Sequence, residues 1–321
     1  MSIIVTGSIA WDYLMRFPGY FKDHILPEHV GNLSVSFLVD DKERHRGGCA
    51  PNIAYNLALL GNRPQLMGSA GLDFEDYQQW LDGVGVDTSL TAVHEDEFTA
   101  TFTVITDKDH NQIASFHTGA MARARELSFY DLDKDSIDWV IISPNDPQAM
   151  VNYAEQCQAL GIKFIYDPSQ QLARIDRTEF MASLDGAAVL TVNDYELEMA
   201  KKLSGLDTEG LLERVGAIVV TRGADGASVY TADGVEFAPI AQAEAVVEPT
   251  GVGDAFRAGL LTGLTRGYDW PTTLRLANVS AVYVIEHVGT QNHQYTLDEY
   301  IQRYRENYGD DPALDDLLKI A

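Results

Sequence analysis

Cysteine is nearly absent: the 321 residues include only Cys49 and Cys157, far apart and with neither a CxxC spacing nor clustered histidines around them. That excludes a disulfide framework and a zinc site, and points to a reducing compartment. Positive charge is scarce too, with 23 Lys and Arg against 48 Asp and Glu, a formal net charge of -25. Such a field repels phosphate backbones and anionic lipid surfaces, so no nucleic-acid or membrane partner is expected. No apolar run approaches the ~18 residues that cross a bilayer. The first residues have no basic stretch followed by a long apolar one, and the expected location is cytoplasmic. Internal repeats, low-complexity tracts and Pro-, Gly- or Ser-rich linkers are missing as well, so nothing in composition divides the chain.

What is present is apolar periodicity over a length sufficient for a full α/β core. Ile53, Leu57 and Leu60 share one face of a predicted helix that stops near Gly61. Short apolar runs at Trp139–Ile142, Lys163–Tyr166, Val189–Val192 and Ile218–Thr221 read as strands separated by helical stretches. That alternation predicts a mostly parallel sheet covered by helices on both faces, a three-layer α/β/α core. Two stretches differ. Residues 14–46, around Leu33–Val39, and residues 92–118, around Thr99–Ile105, alternate small polar with large apolar residues and suit a sheet with one buried face. They are expected to form a small β-sheet lid inserted into a core made of residues 1–13, 47–91 and 119–321.

The strongest chemical signal is Glu248-Pro249-Thr250-Gly251-Val252-Gly253-Asp254-Ala255-Phe256, leading into a helical pattern that closes near Gly267. Small residues at 250, 251 and 253 let backbone N–H groups converge at a helix N-terminus, where unpaired donors and the helix dipole favour an anion. Asp254 beside that pole can take a proton from an attacking hydroxyl while the cradle stabilises a transferring phosphoryl group. The motif lacks the Lys-Ser/Thr ending of a P-loop, so positive charge must come from dipoles and Mg²⁺. A glycine-rich turn with Asp254 as a helix-start residue is the plainer alternative.

Other polar groups fall at strand ends. Asn193 and Glu196 follow the strand ending near Val192, where Glu196 can hold Mg²⁺ through water and Asn193 can meet phosphate; simple helix capping explains them equally well. Thr221-Arg222-Gly223-Ala224-Asp225-Gly226 follows another strand as a tight turn over which a nucleotide can pass. Asp12 can accept two vicinal hydroxyls, Asn52 both donates and accepts, and Gly47-Gly48 permit close approach of a polar ring. Together these last residues suit a sugar diol.

The Gly47-Gly48 pair followed by Asn52, the Asn193-x-x-Glu196 spacing and the PTGVGDAF segment together resemble the ribokinase-like (PfkB) kinases, over essentially the whole chain. The ordered stretches GSIAWDYLMRFPG, SFLVDD, RGG, FTAT, QIASFHTGAM, DPSQQLAR, VNDYE and PTGVGDAFRAGLLTG look like the adenosine kinases of actinobacterial type within that family. The resemblance implies transfer of the ATP γ-phosphoryl group to the 5′-hydroxyl of adenosine. By match of motif, Asp254 would be the catalytic base and Gly251, Val252 and Gly253 the anion hole. Ser8, Asp12, Gly47, Gly48 and Asn52 would bind ribose, Ser36, Phe102 and Phe116 would line the nucleoside pocket, and Gln170 and Gln171 would lie near the base. Asn193, Thr221, Gly223, Gly226 and Arg174 would serve ATP, with Glu196 at Mg²⁺. Glu248 stands where the family more usually has Asp, beside the place for a monovalent cation such as K⁺. Cys49 stands where ribokinases commonly have Lys, which favours a nucleoside over free ribose. A sugar kinase of the same family and a non-catalytic nucleoside-binding protein are the alternatives, and pairing of lid edges into a homodimer is implied by analogy.

Overall fold

The computed structural model describes residues 2–25 and 31–320. β1 (Ser2–Thr6) is followed by β2 (Ala10–Arg16), β3 (Asp41–Gly47), helix α1 (Cys49–Leu59), β4 (Gln65–Gly71), α2 (Glu75–Gly83) and β5 (Thr91–His94). A hairpin of β6 (Ala100–Thr106) and β7 (Gln112–His117) precedes β8 (Ile137–Ile142), α3 (Pro147–Leu160), β9 (Phe164–Tyr166), α4 (Arg177–Leu184), β10 (Val189–Asn193), α5 (Asp194–Ser204), α6 (Thr208–Leu212) and β11 (Ile218–Thr221). The chain then runs through β12 (Gly226–Thr231), β13 (Gly234–Pro239), α7 (Val252–Arg266), α8 (Trp270–Ile285) and α9 (Leu297–Tyr308).

The apolar runs form strands where the sequence predicts them, because each is buried on both faces. Ile3 and Val5, Trp139 and Ile141, and Ile165 point into one apolar cluster with α1, α2, α7 and α8. Ile4, Val140, Ile142, Phe164 and Tyr166 point the other way, onto α3, α4 and α5. Two helical layers therefore sandwich a nine-stranded sheet of order β13-β12-β11-β10-β9-β8-β1-β4-β5. Its strands run parallel from β5 to β11, and the hairpin β12–β13 closes one edge antiparallel. The three-layer α/β/α core is the one expected. β1 is the point where strand order reverses, with β4 on one side and β8 on the other, and such a crevice beyond the strand carboxyl ends is where open α/β sheets bind ligands.

A second sheet of order β3-β2-β6-β7 leaves the core at that point. Its composition corrects one expectation. Leu33–Val39 is not a strand; Phe37 packs on Phe17 and Phe21 with ring centroids 5.0 Å apart, while Leu33, Val35 and Leu38 stay exposed. An alternating pattern needs a paired neighbour as well as a face to bury, and that stretch has none in the sheet. The place beside β2 is taken by the charged segment Asp41–Gly47. Lys42, Arg44 and Arg46 alternate along it, and each cation lies over an aromatic ring, those of Tyr13, Trp11 and Trp80, at 4.5, 4.1 and 4.2 Å. β5 also departs from the expected grouping: Thr91–His94 pairs with β4 in the large sheet.

α7 and α8 approach closely because Gly259 and Gly263 leave room. A Cβ on Gly259 would sit 2.6 Å from Ala277 Cα and 2.8 Å from Ser280 Oγ. Gly259→Val is expected to cost about 1–3 kcal/mol by overpacking, read as a lower midpoint in chemical denaturation with an unchanged slope.

Candidate active site

Gly251 opens α7 in the left-handed conformation, φ 80°, with no side chain capping the helix. A larger residue there would be strained by φ alone. Val252 N donates to the Pro249 carbonyl at 3.3 Å, and the helix dipole points its positive end toward the crevice. Asp254 is the third residue of this helix, and its carboxylate lies at the same end.

Asn52 Nδ2 donates to Asp254 Oδ2 at 2.8 Å. The amide cannot turn the other way, because its oxygen is already engaged: Gln291 Nε2 donates to Asn52 Oδ1 at 2.9 Å and the Thr290 hydroxyl reaches it at 2.8 Å. Gln291 is held in turn by Trp80 Nε1 at 3.2 Å and by the Tyr77 hydroxyl, which donates to the Gly47 carbonyl at 2.9 Å. Burial pushes Asp254 up to about 7; Arg257 and the Asn52 bond pull it down, while Asp167 and Asp12 add to the rise. A carboxyl so placed is a base near neutrality.

Asp12 sits on β2, not at the end of β1, and faces Phe102 on β6 and His45 on β3; Phe102 in turn faces Phe116 on β7. Directly paired residues share a face, so His45, Asp12, Phe102 and Phe116 form one row across the small sheet. Burial pushes Asp12 up to about 7, with His45 lowering it and Glu248 raising it. Next to this row, Leu14, Glu43 and Val104 on the sheet and Glu248 and Val288 on the core line a cleft of about 560 Å³. Gly47 packs directly under the Asp12 carboxylate. Ser8 Oγ accepts from Cys49 N at 3.2 Å, which fixes the turn from β1 against the start of α1 at Gly48.

The remaining residues lie at the carboxyl edge of β9 to β11. Asn193 and Glu196 form a reciprocal capping box on α5, each side chain taking the other's amide at 2.8 Å. The other Glu196 oxygen accepts from Ser169 Oγ at 3.2 Å, and Ser169 is held at a positive φ of 40°. Thr221 ends β11, and the turn through Gly223 closes where Arg222 N donates to the Gly226 carbonyl at 2.8 Å. Gln171 is buried and donates to the Asn145 carbonyl, whereas Gln170 and Arg174 are exposed. Ser36 lies exposed on the irregular stretch before β3. Sequence reading missed Asp167, Arg257, Thr290 and Gln291. Arg257 left a signal, a charge among apolar residues one turn after Asp254; Thr290 and Gln291, in a connection between helices, left none.

The profile of the pfkB family carbohydrate kinases matches residues 19–297. The chain belongs to that family. PfkB proteins are ATP-dependent phosphotransferases. A nucleoside kinase of Burkholderia thailandensis, solved in complex with inosine, superposes with a TM-score of 0.86 at 37% identity, over 97% of this chain and 99% of that one. A nucleoside kinase of Methanocaldococcus jannaschii is 29% identical over 304 residues, 94% of this chain and 96% of its own. The ribokinase of Arabidopsis thaliana, complexed with ribose and ATP, shares the fold at 20% identity and a TM-score of 0.78.

One consequence concerns stability. Asp254 holds its proton more tightly folded, near 7, than at its ordinary value of 3.8. Its contribution is therefore full below about pH 4 and lost as pH rises through 7. Asp254→Asn is expected to stabilise the ligand-free protein by about 1–3 kcal/mol at pH 8, a gain that vanishes toward pH 4 in paired denaturation curves.

Proposed function

We propose that this PfkB protein is a nucleoside kinase that transfers the γ-phosphoryl group of ATP to the 5′-hydroxyl of a ribonucleoside, with adenosine as its substrate and a role in purine salvage. The observation that carries the reading is the row Asp12–Phe102–Phe116 beside a largely apolar cleft. A diol acceptor and flat apolar rings on one face suit a ribose joined to a base, since stacking surface is of no use to a free pentose. The nucleoside kinases to which the chain is similar, one of them solved with inosine, support the same substrate class.

In this mechanism Asp12, with Ser8, Gly47, Gly48 and Asn52, holds the ribose hydroxyls, and Phe102 and Phe116 cover the base. Ser36, Gln170 and Gln171 are assigned to the periphery of the nucleoside site. Asp254, oriented by Asn52, accepts the 5′-hydroxyl proton as that oxygen attacks the γ-phosphorus, and the N–H groups at Gly251, Val252 and Gly253 stabilise the transferring phosphoryl. Thr221, Gly223, Gly226, Asn193 and Arg174 would flank ATP. The small sheet of β3, β2, β6 and β7 would act as a lid over the core and exclude water from the phosphoryl site, and its edges would pair two chains into a homodimer.

Among the described residues no group of three or more His, Cys, Asp and Glu is clustered for a metal. Glu196 is partly exposed, with one oxygen in the capping box and the other 3.2 Å from Ser169 Oγ; that oxygen fits an Mg²⁺ held mainly by water and ATP phosphates. Bound there, Mg²⁺ would neutralise charge on the phosphate oxygens. A K⁺ beside Glu248 would share that carboxylate with the Gly289 amide, which donates to it at 2.9 Å.

ATP-dependent phosphorylation of adenosine, inosine, guanosine, ribose and fructose, measured in parallel, tests the reading. Adenosine is expected to turn over fastest, with Asp254→Asn lowering kcat by about 10²–10⁴ and leaving nucleoside binding in place. Preference for a free sugar would keep the kinase and reject the nucleoside pocket. Nucleoside binding without turnover would make the protein a binding module.

A further inference from the structure

Arg257 lies one turn beyond Asp254 on α7, on a helix face that is otherwise apolar. It is 7% exposed, and its partner Asp167, directly after β9, is 1% exposed. Nη2 donates to Asp167 Oδ1 at 2.6 Å, and Nε contacts the other carboxylate oxygen. The remaining nitrogen, Nη1, is turned toward the cradle: a Cβ on Gly253 would lie 2.7 Å from it. Taking a guanidinium and a carboxylate out of water costs several kcal/mol per ion, and an apolar pair of the same volume often does as well or better. Packing alone is thus a weak reason for this pair to stand behind the anion-binding end of a helix.

We propose that Arg257, held by Asp167, is the fixed internal cation of the phosphoryl site: it backs the helix N-terminus at Gly253, where the motif has no lysine, and governs the ionisation of Asp254. Arg257 lies behind the cradle rather than in it, and is assigned as a positioning residue. The proposal rests on the reading of Asp254 as the base.

The charged groups that act on Asp254 are Asp12 from β2, Asp167 after β9 and Arg257 on its own helix; the Asp254 charge in turn pushes up Cys49 at the start of α1 and Tyr77 from α2. Among these Arg257 is the cation. It favours the carboxylate, whereas Asp167 disfavours it, so the two members of one ion pair act on Asp254 in opposite senses.

The experiment is a titration of the Asp254 side-chain carboxyl by ¹³Cγ chemical shift in the ligand-free protein, the signal being identified by its loss in Asp254→Asn. Arg257→Met is expected to move the midpoint up by about one pH unit or more. Asp167→Asn is expected to move it down, and Arg257→Lys, which keeps the charge, to leave it near the parent value. The acid limb of kcat/KM, taken with whichever acceptor the parent phosphorylates, should follow the same order. If Arg257→Met does not fold, Asp167→Asn and Arg257→Lys decide: a downward shift in the first with a parental midpoint in the second supports the proposal. Shifts of one sign in both charge-removing variants, or unchanged midpoints in folded protein, would overturn it. Because the titration uses no substrate, an error in the nucleoside assignment leaves its result intact.

Discussion

The site depends on a single amide that has no freedom to flip. Thr290 and Gln291 engage the Asn52 oxygen, so the Asn52 nitrogen must face Asp254. That bond joins the start of α1 to the start of α7, two helix N-termini brought to the same crevice by the reversal of strand order at β1. Around it the site is arranged by charge. Asp254, Asp12 and Asp167 are all pushed toward their protonated forms by burial, and Arg257 is the buried counterweight. A crevice with that many acids and an overall charge of -25 would be a poor place for ATP without localised positive ends. In the proposed reading the helix pole at Gly251 and the guanidinium behind Gly253 supply them.

Much of this was legible in the sequence wherever a single physical requirement dominated. Strands buried on both faces must be short and apolar, and β8 to β11 were read within a few residues. A helix start that receives an anion must be small and carry no competing cap, so Gly251, Gly253 and Asp254 stood out. Legibility failed where the requirement was relational. β3 is written in Asp, Lys, Glu, Arg and His, and becomes a strand because β2 offers a ladder and the aromatic rings of Tyr13, Trp11 and Trp80 take up its cations. Leu33–Val39 has the pattern of a strand and no place in the sheet. Asn193 and Glu196 show a third situation, since their spacing suits both a cap and a phosphate site, and the capping box satisfies the first without excluding the second.

Asp167 and Gln291 illustrate why a motif search finds only part of a catalytic centre. The residues proposed to touch a ligand lie at conspicuous turns, but those that fix their orientation are set by what lies opposite them in three dimensions. Gln291 is joined to Tyr77 and Trp80 across more than two hundred residues of chain, a distance over which local periodicity carries no information.

The carboxylate proposed for the sugar and the rings proposed for the base are neighbours on the rungs of one hydrogen-bonded ladder, Asp12 opposite Phe102 and Phe102 opposite Phe116. They cannot move apart without breaking that ladder. Under the proposed assignment, recognition of the two halves of a nucleoside would therefore be one mechanical event.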